Sequence, residues 1–302
     1  MDRMPYDESD PRAALSTAVA TPPGVPRAAT YRELHRSPAD ETHPNGGRTW
    51  WMRSQAMVIG HTEAAAGDAV SVDANAEYGL LVLDGARVRV EAATGDTVVD
   101  EDAVVIVPSG SSTVHVQSPG TIVRIFAAAL EPALAARCAN HRDYDLPDHN
   151  VAGYEPWPAP PDGERIRVYP IAAYPTEPGR LGRIFRCSTI MINVFDPHFE
   201  PRDPTKMSPH HHDDFEQVSL QLEGDYVHHM RVTWTPDSTT WRDDEHQHCE
   251  GPSIVVIPPP IVHTSEAVSH MRHFLVDVFA PPRVDFSERP GWVLNADEYP
   301  MP

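Results

Sequence analysis

The residues with the clearest chemical potential are three consecutive histidines in the second half of the chain, His210 to His212. Alternate side chains of an extended strand point to the same face, so His210 and His212 share a face and His211 points away. A distant histidine, His263, follows three prolines, which favour a rigid turn. Imidazole nitrogens suit iron, manganese, nickel, cobalt or zinc. The pattern therefore predicts one transition-metal site that includes His210, His212 and His263.

Two adjacent residues, Glu216 and Gln217, follow the histidines at a spacing that suits an oxygen ligand. A Glu216 ligand would give a site of three histidines and one carboxylate. A Gln217 ligand would give a site without a charged ligand. The residue types alone leave both alternatives open.

Short strands are the elements that must position these ligands. The 302 residues include 32 prolines and 17 glycines, which disfavours long helices and favours strands joined by rigid turns. Short β-branched runs separated by turn residues cover roughly 50–130, and a second series covers roughly 182–279. One helix is predicted between them, from Glu131 to Asn140, because Pro132 suits a first turn and alanine dominates. The predicted fold class is therefore all-β, of the sandwich or jelly-roll type.

An internal repeat relates the two halves. Leu222-Glu223-Gly224 matches Leu83-Asp84-Gly85 at an offset of 139 residues, and the turn at Pro258 matches the turn at Pro108 at an offset of 150. These offsets place the four candidate ligands on Ser71 (for His210), Asp73 (for His212), Tyr78 (for Gln217) and Thr113 (for His263). Every candidate ligand is lost in the first copy, so only the second copy is predicted to bind metal.

The second half resembles the cupin superfamily. His210-x-His212, Gln217 and Gly224 fit the first cupin motif, with glutamine where glutamate is usual. Gly251, Pro258, Pro260 and His263 fit the second motif, with one extra residue after Gly251 and Pro260 where glycine is usual. The spacing to Gly224 favours Gln217 over Glu216 as the oxygen ligand. The resemblance implies a bicupin of two tandem double-stranded β-helix barrels over roughly residues 50 to 280.

The expected organisation has four parts. Residues 1–45 form an N-terminal arm with a short helix around Tyr31 to His35, and residues 46–140 form a cupin barrel without metal ligands. A proline-rich linker covers 141–163, and residues 164–302 form the metal-binding barrel with a C-terminal tail.

Charge and cysteine content limit the partners. The formal net charge of −20 disfavours nucleic acid and anionic membranes and favours a small-molecule ligand. The three cysteines form no CxxC pair, and the first residues lack an apolar signal segment, so we expect a cytoplasmic protein. Exposed sheet edges of a bicupin would be covered in a homodimer.

Several residues around the histidines are candidates for binding an anionic or polyoxygenated substrate. Arginines and lysines are scarce, and Arg183, Arg186, Arg202 and Lys206 precede the histidines closely. Loops at a barrel mouth commonly carry specificity. The predicted substrate-binding residues are Arg186, Lys206, Trp241, Arg242 and His228.

The resemblance implies a metal-dependent enzyme, and two mechanisms compete. Three histidines leave positions open for O₂ and a bidentate substrate, which predicts an Fe(II) dioxygenase acting on a small organic acid, diketone or aromatic compound. A Mn, Ni or Zn centre would instead act as a Lewis acid in an isomerase, lyase or hydrolase of a sugar acid, which the neutral Gln217 suits. A non-catalytic binding protein is the third alternative. The sequence favours the dioxygenase and iron.

Overall fold

Twenty strands and two short α-helices form the regular structure of residues 24–302, the part of the chain that this computed structural model describes. In chain order the strands are β1 (Thr30–Glu33), β2 (Glu41–Thr42), β3 (Arg48–Arg53), β4 (Met57–Ala64), β5 (Ala69–Ala74), β6 (Tyr78–Leu83), β7 (Arg87–Ala92), β8 (Gly95–Val99), β9 (Ala103–Val107), β10 (Gly110–Ser118), β11 (Gly120–Ala127), β12 (Arg167–Pro170), β13 (Arg183–Arg186), β14 (Met191–Val194), β15 (Gln217–Glu223), β16 (Asp225–Arg231), β17 (Glu245–Glu250), β18 (Ser253–Ile257), β19 (Val262–Ala267) and β20 (Phe274–Phe279). The helices are α1 (Pro132–Arg137) and α2 (Val284–Ser287).

The strands form two barrels, each made of a large and a small sheet. The first barrel combines the seven-stranded sheet β12-β9-β6-β11-β4-β3-β2 with the four-stranded sheet β5-β10-β7-β8. The second barrel combines the six-stranded sheet β1-β18-β15-β20-β14-β13 with the three-stranded sheet β17-β16-β19. The predicted all-β fold of two tandem barrels is confirmed.

Each barrel receives a strand from outside its predicted range. Strand β1 from the arm pairs with β18 of the second barrel, and β12 pairs with β9 of the first barrel although it follows the linker. The arm therefore packs on the distant barrel. The predicted boundaries at 45 and 164 therefore do not coincide with the limits of the sheets, because each barrel includes one strand from beyond its boundary.

The large sheets of the two barrels pack against each other through one shared apolar core. Buried side chains such as Trp50 and Ile125 of the first barrel join Val218 and Val276 of the second in a single cluster. A second continuous cluster, which includes Trp51, Tyr78 and Phe126, fills the interior of the first barrel. In the described part of the chain, the interior of the second barrel holds only two small apolar clusters. This difference leaves the second barrel with space for a site.

Helix predictions were partly wrong. The segment from Tyr31 to His35 is not a helix, because it forms β1 and a short 3-10 turn (Leu34–Arg36) along the edge of β18. The helix predicted from Glu131 to Asn140 is shorter, ending at Arg137 in α1. The part of the arm before residue 24 lies outside the described residues. Within residues 24–302, no helix has the length and apolarity that a membrane span would need.

The repeat offsets hold for β6 and β15 but slip by one residue in the small sheets. His210 pairs with His263 across the second barrel, whereas the interior pair at that place in the first barrel is Val72 and Ser112. The slip arises in two loops of the second copy. His212 precedes Gln217 by five residues where Ala74 precedes Tyr78 by four, and His263 follows Pro258 by five residues where Ser112 follows Pro108 by four. One extra residue exchanges the two faces of a strand.

The predicted equivalents Ser71, Asp73 and Thr113 therefore point out of the first barrel. The interior equivalents of His210, His212, Gln217 and His263 are Val72, Ala74, Tyr78 and Ser112.

Candidate active site

Three histidines converge inside the second barrel. The ring nitrogens that His210, His212 and His263 offer lie within 4.8 Å of one another. The backbone holds two of them together, because the His210 amide donates to the His263 carbonyl at 3.1 Å and the His263 amide donates back at 2.7 Å. His211 points outward, with its Nε2 3.3 Å from Asp213. The alternation predicted for the three consecutive histidines is present in the structure.

Backbone contacts fix the tautomers of two histidines. Nδ1 of His210 lies 2.9 Å from the Ser208 carbonyl oxygen, and Nδ1 of His263 lies 3.0 Å from the Ile261 carbonyl oxygen. A carbonyl oxygen only accepts, so each Nδ1 donates and each Nε2 keeps its lone pair. Nε2 of His263 is buried without a hydrogen-bond partner among the described residues. This arrangement, with Nδ1 held by an oxygen and Nε2 free, suits a metal ligand.

A directional chain of hydrogen bonds orients Gln217. Nε2 of His212 donates to the Gln217 amide oxygen at 3.0 Å, and the Gln217 amide nitrogen donates to the Ser219 hydroxyl at 3.0 Å. The Ser219 hydroxyl then donates to the Asp277 carboxylate at 2.6 Å. Because the Asp277 carboxylate can only accept when ionised, it determines the direction of the chain and turns the Gln217 oxygen towards His212.

Burial keeps His212 and His263 neutral. It lowers the pKa of His212 to about 2 and that of His263 to about 4. Neutral imidazole is the form that binds a transition metal. Burial also raises the pKa of Asp277 to about 6, against hydrogen bonds that lower it.

Glu216 lies outside the site. Its buried carboxylate accepts hydrogen bonds from the backbone amides of Gln55 at 3.1 Å and Ala56 at 2.8 Å in the first barrel. The alternative in which Glu216 replaces Gln217 as a ligand is therefore wrong, because adjacent residues on this strand face opposite sides. Glu216 instead joins the two barrels.

A cavity of about 670 Å³ opens onto the site. His210, Gln217, His263 and Asp277 all line it. Other lining residues supply apolar walls and isolated polar groups: Leu275, Phe279, Phe286, Asn193, Tyr226, Arg202 and Arg283. Two of these polar groups, the Asn193 Oδ1 and the Tyr226 hydroxyl, are buried without a partner among residues 24–302.

Asp277 was missed by the sequence analysis. It lies opposite Asn193 on one neighbouring strand and opposite Ser219 on the other, so the three form a polar row across the inner face of the large sheet. The signal was present, because a lone aspartate interrupts the apolar strand Phe274–Phe279. Burying a carboxylate in a core strand is costly unless polar or charged partners compensate it, so such a residue marks a polar site.

Four predicted substrate-binding residues have other contacts, and none lines the cavity. Arg186 donates to the Tyr299 carbonyl oxygen and stacks on Trp157, which ties the C-terminal tail to β13. Lys206 is exposed and pairs with Asp203 at 3.4 Å. These two predictions are corrected, because proximity in sequence did not place the cations at the site.

The loop prediction is corrected as well. Trp241 stacks on Trp234 at 4.7 Å, and Arg242 donates to the Pro26 carbonyl oxygen at 2.7 Å in the arm. The fifth residue, His228, is buried and faces the barrel interior, where it contacts the Ser265 hydroxyl at 2.9 Å and the Gln221 amide oxygen at 3.2 Å. Burial lowers the pKa of His228 to about 3. Through the Ser265 hydroxyl, His228 contacts a residue that lines the cavity.

Comparisons with known proteins agree with the fold. No protein-family model and no curated protein sequence matches the chain significantly. The oxalate decarboxylase of Lactobacillus farciminis, solved as a formate complex, aligns with a TM-score of 0.55 and 14% identity over 87% of this chain and 90% of that chain. A Bacillus subtilis oxalate decarboxylase studied for its Mn(II) centres aligns with a TM-score of 0.55 and 12% identity over 98% of this chain and 94% of that chain. The chain thus shares the two-barrel fold of these solved structures.

Proposed function

We propose that the second barrel is a divalent-metal-dependent enzyme that acts as a lyase or isomerase on a small oxygenated organic acid. One observation carries the proposal: His210, Gln217 and His263 line the cavity beside His212, and the carboxylate of Asp277 is linked to them through Gln217 and Ser219. A carboxylate at this place can take and return a substrate proton. Lyase and isomerase reactions need such a group.

The residues that would hold the metal are His210, His212, His263 and Gln217. For His212 this would require the Nε2 proton to move to Nδ1, so that the ion replaces the hydrogen bond to Gln217. The partnerless Nε2 of His263 and the amide oxygen turned towards His212 fit a cation with nitrogen and oxygen ligands. A bound divalent ion would polarise a carbonyl or carboxylate oxygen of the substrate. The fold relative with Mn(II) centres supports manganese beside the iron, nickel and zinc that the sequence allows.

The protein's own groups supply the rest of the chemistry. Asp277 is placed to hold a proton at its carboxylate, while Ser219 fixes the orientation of that carboxylate. Leu275 and Phe279 line the cavity with apolar surface that limits water near the reacting atoms. The two named relatives are oxalate decarboxylases, which supports a small organic anion as substrate.

The Fe(II) dioxygenase that the sequence favoured is the second candidate. Its support is the set of three histidines, which leaves open positions for O₂ and a bidentate substrate. A dioxygenase does not require the Asp277 carboxylate, and this is why we rank it second. A binding protein without catalysis would keep the metal and turn nothing over.

Metal analysis and oxygen measurement separate these candidates. The purified protein is analysed for Mn, Fe, Ni and Zn and then assayed with hydroxy and keto acids of two to six carbons, with and without O₂. We expect anaerobic turnover without O₂ consumption. Stoichiometric O₂ uptake would establish the dioxygenase instead, and a protein that retains no metal would overturn both.

The homodimer and the cytoplasmic location stay predictions.

A further inference from the structure

We infer that Arg202 binds the carboxylate of the substrate, at a distance from the metal ligands that requires an extended polyhydroxy acid. This inference rests on the proposed function and names its substrate class. Arg202 lines the cavity, and its guanidinium donates to three neutral oxygens: the Ser265 carbonyl at 2.9 Å, the Lys206 carbonyl at 3.0 Å and the Ser208 hydroxyl at 2.9 Å.

Among residues 24–302, the charge of Arg202 lacks a counterion. No carboxylate among residues 24–302 lies within 4.0 Å of its guanidinium. Arg283, the other arginine that lines the cavity, is paired with Asp285 and packs over the Phe286 ring at 3.7 Å. In a chain with a net charge of −20, an uncompensated arginine in a cavity is a specific place for an anionic group.

The anchors of Arg202 give its distance from the metal ligands. Ser208 lies two residues before His210, and Ser265 lies two residues after His263. His210 and His263 are paired across the barrel. Arg202 therefore contacts both segments two residues away from this pair, on the same side of it. Two residues of strand span about 6.6 Å. A molecule that reaches both the metal ligands and Arg202 therefore needs several carbon atoms between its two polar ends.

The cavity between these ends is suited to hydroxyl groups. Its volume of about 670 Å³ greatly exceeds that of a two-carbon acid. The Tyr226 hydroxyl and the Asn193 Oδ1 are buried at 3% and 1% exposure, and neither has a partner among the described residues. Buried polar atoms without partners are costly, and substrate hydroxyls would satisfy them. The geometry thus points to a polyhydroxy acid of about five or six carbons.

Isothermal titration calorimetry on the Mn(II)-loaded protein tests the inference with three probes. Oxalate has two carbons, adipate has six, and D-glucarate has six carbons with four added hydroxyls. All three can place one carboxylate on the metal, but only the six-carbon acids can also reach Arg202. We expect D-glucarate to bind tightest and adipate to bind more tightly than oxalate.

Two variants give a matched comparison. Arg202→Gln should weaken adipate and D-glucarate binding about tenfold or more and change oxalate binding little, because one charge-assisted contact is lost. Lys206→Gln removes the same charge four residues away, outside the cavity, and should leave all three affinities unchanged. Tyr226→Phe should weaken D-glucarate but not adipate. Manganese content is measured for each variant, so loss of metal is distinguished from loss of substrate binding.

Several outcomes would overturn the inference. They are tightest binding of oxalate by the wild-type protein, no measurable binding of either six-carbon acid, or equal losses in the Arg202 and Lys206 variants. If Arg202→Gln fails to fold, Arg202→Lys keeps the charge and should retain the preference for adipate over oxalate. A protein that retains manganese but lacks this preference refutes the inference alone, whereas a protein that retains no metal refutes the proposed function.

Discussion

The two barrels share one frame and differ in what their interiors contain. The row Asn193, Asp277 and Ser219 across the large sheet of the second barrel corresponds by strand pairing to Gly60, Arg124 and Leu80 in the first. The second barrel thus places an acid where the first places an arginine. Equivalent positions in the two large sheets therefore hold interior side chains of opposite charge.

Aromatic side chains occupy the space that is a cavity in the second barrel. The guanidinium of Arg124 lies 4.7 Å from the centre of the Trp51 ring, and the Tyr78 and Phe126 rings stack at 4.6 Å. Gly60 makes room for this packing, because a Cβ there would lie 2.5 Å from the Trp51 ring. The first barrel is filled by a few large residues at positions where the second has small or polar ones.

The ligand positions show the same contrast. Tyr78 and Ser112 stand where Gln217 and His263 stand in the second barrel, and their hydroxyl groups hydrogen-bond to each other at 3.0 Å. In the first barrel the two hydroxyl groups are each other's hydrogen-bond partners. In the second barrel Nε2 of His263 has no hydrogen-bond partner among the described residues. A polar pair that is internally satisfied has nothing to offer a ligand.

The largest expected effect comes from removing a ligand in one barrel and its equivalent in the other. His263→Ala should reduce the metal content from about one equivalent to a small fraction, since a three-histidine site then loses its most buried nitrogen. Ser112→Ala should leave the metal content unchanged and cost about 1 kcal/mol of stability. Elemental analysis of dialysed protein measures both. Full metal occupancy of the His263 variant would remove the basis for a site in the second barrel.

The second effect concerns the acid in the polar row. Asp277→Asn should lower turnover roughly 10²–10⁴-fold if Asp277 transfers a proton, while the metal content stays close to that of the wild type. Steady-state rates together with elemental analysis test this. Undiminished turnover would mean that Asp277 only orients Gln217 and Ser219.

The third effect concerns the filled interior. Gly60→Ala forces a methyl group into the Trp51 ring and should lower the free energy of unfolding by about 1–3 kcal/mol. Gly153→Ala is the matched control, because no atom lies within 4 Å of its added Cβ, and it should change the stability by less than about 0.5 kcal/mol. Urea unfolding compares them. Equal stabilities would show that the first barrel is loosely packed.

The smallest expected effect concerns Glu216, whose role in the contact between the barrels can be distinguished from a role in metal binding. Glu216→Gln weakens the acceptor for the Gln55 and Ala56 amides and should cost about 1–2 kcal/mol in urea unfolding. The metal content should not change, because the Glu216 side chain faces the first barrel. A loss of metal without a loss of stability would restore Glu216 as a candidate ligand.

Local patterns predicted the fold and most of the candidate ligands. The two predicted series of strands, roughly 50–130 and 182–279, contain most of the observed strands, because β-branched runs and turn residues act locally. Two-residue alternation placed His210 and His212 on one face. The predicted equivalents Ser71 and Thr113 were wrong by one residue, because a loop that is one residue longer in the second copy reverses the face without a visible change in composition.

Long-range contacts could not be read from the sequence. Arg186 and Lys206 lie near the histidines in the chain, yet the tail and a surface aspartate determine where their charges lie. Arg202 and Lys206 both precede the histidines by a few residues, yet the fold places Arg202 in the cavity wall and leaves Lys206 on the surface. The pairing of β1 with β18 joins residues more than 200 positions apart, for which no local signal exists.

The strands that each barrel receives from outside its own range have a consequence for how the protein comes apart. Removal of residues before the first barrel would expose the edge of β18 in the second, and a cut in the linker would separate β12 from β9. The shared apolar core would also be exposed in both halves. The two barrels should therefore melt in one calorimetric transition, and neither half should be recovered as a stable fragment unless both are refolded together.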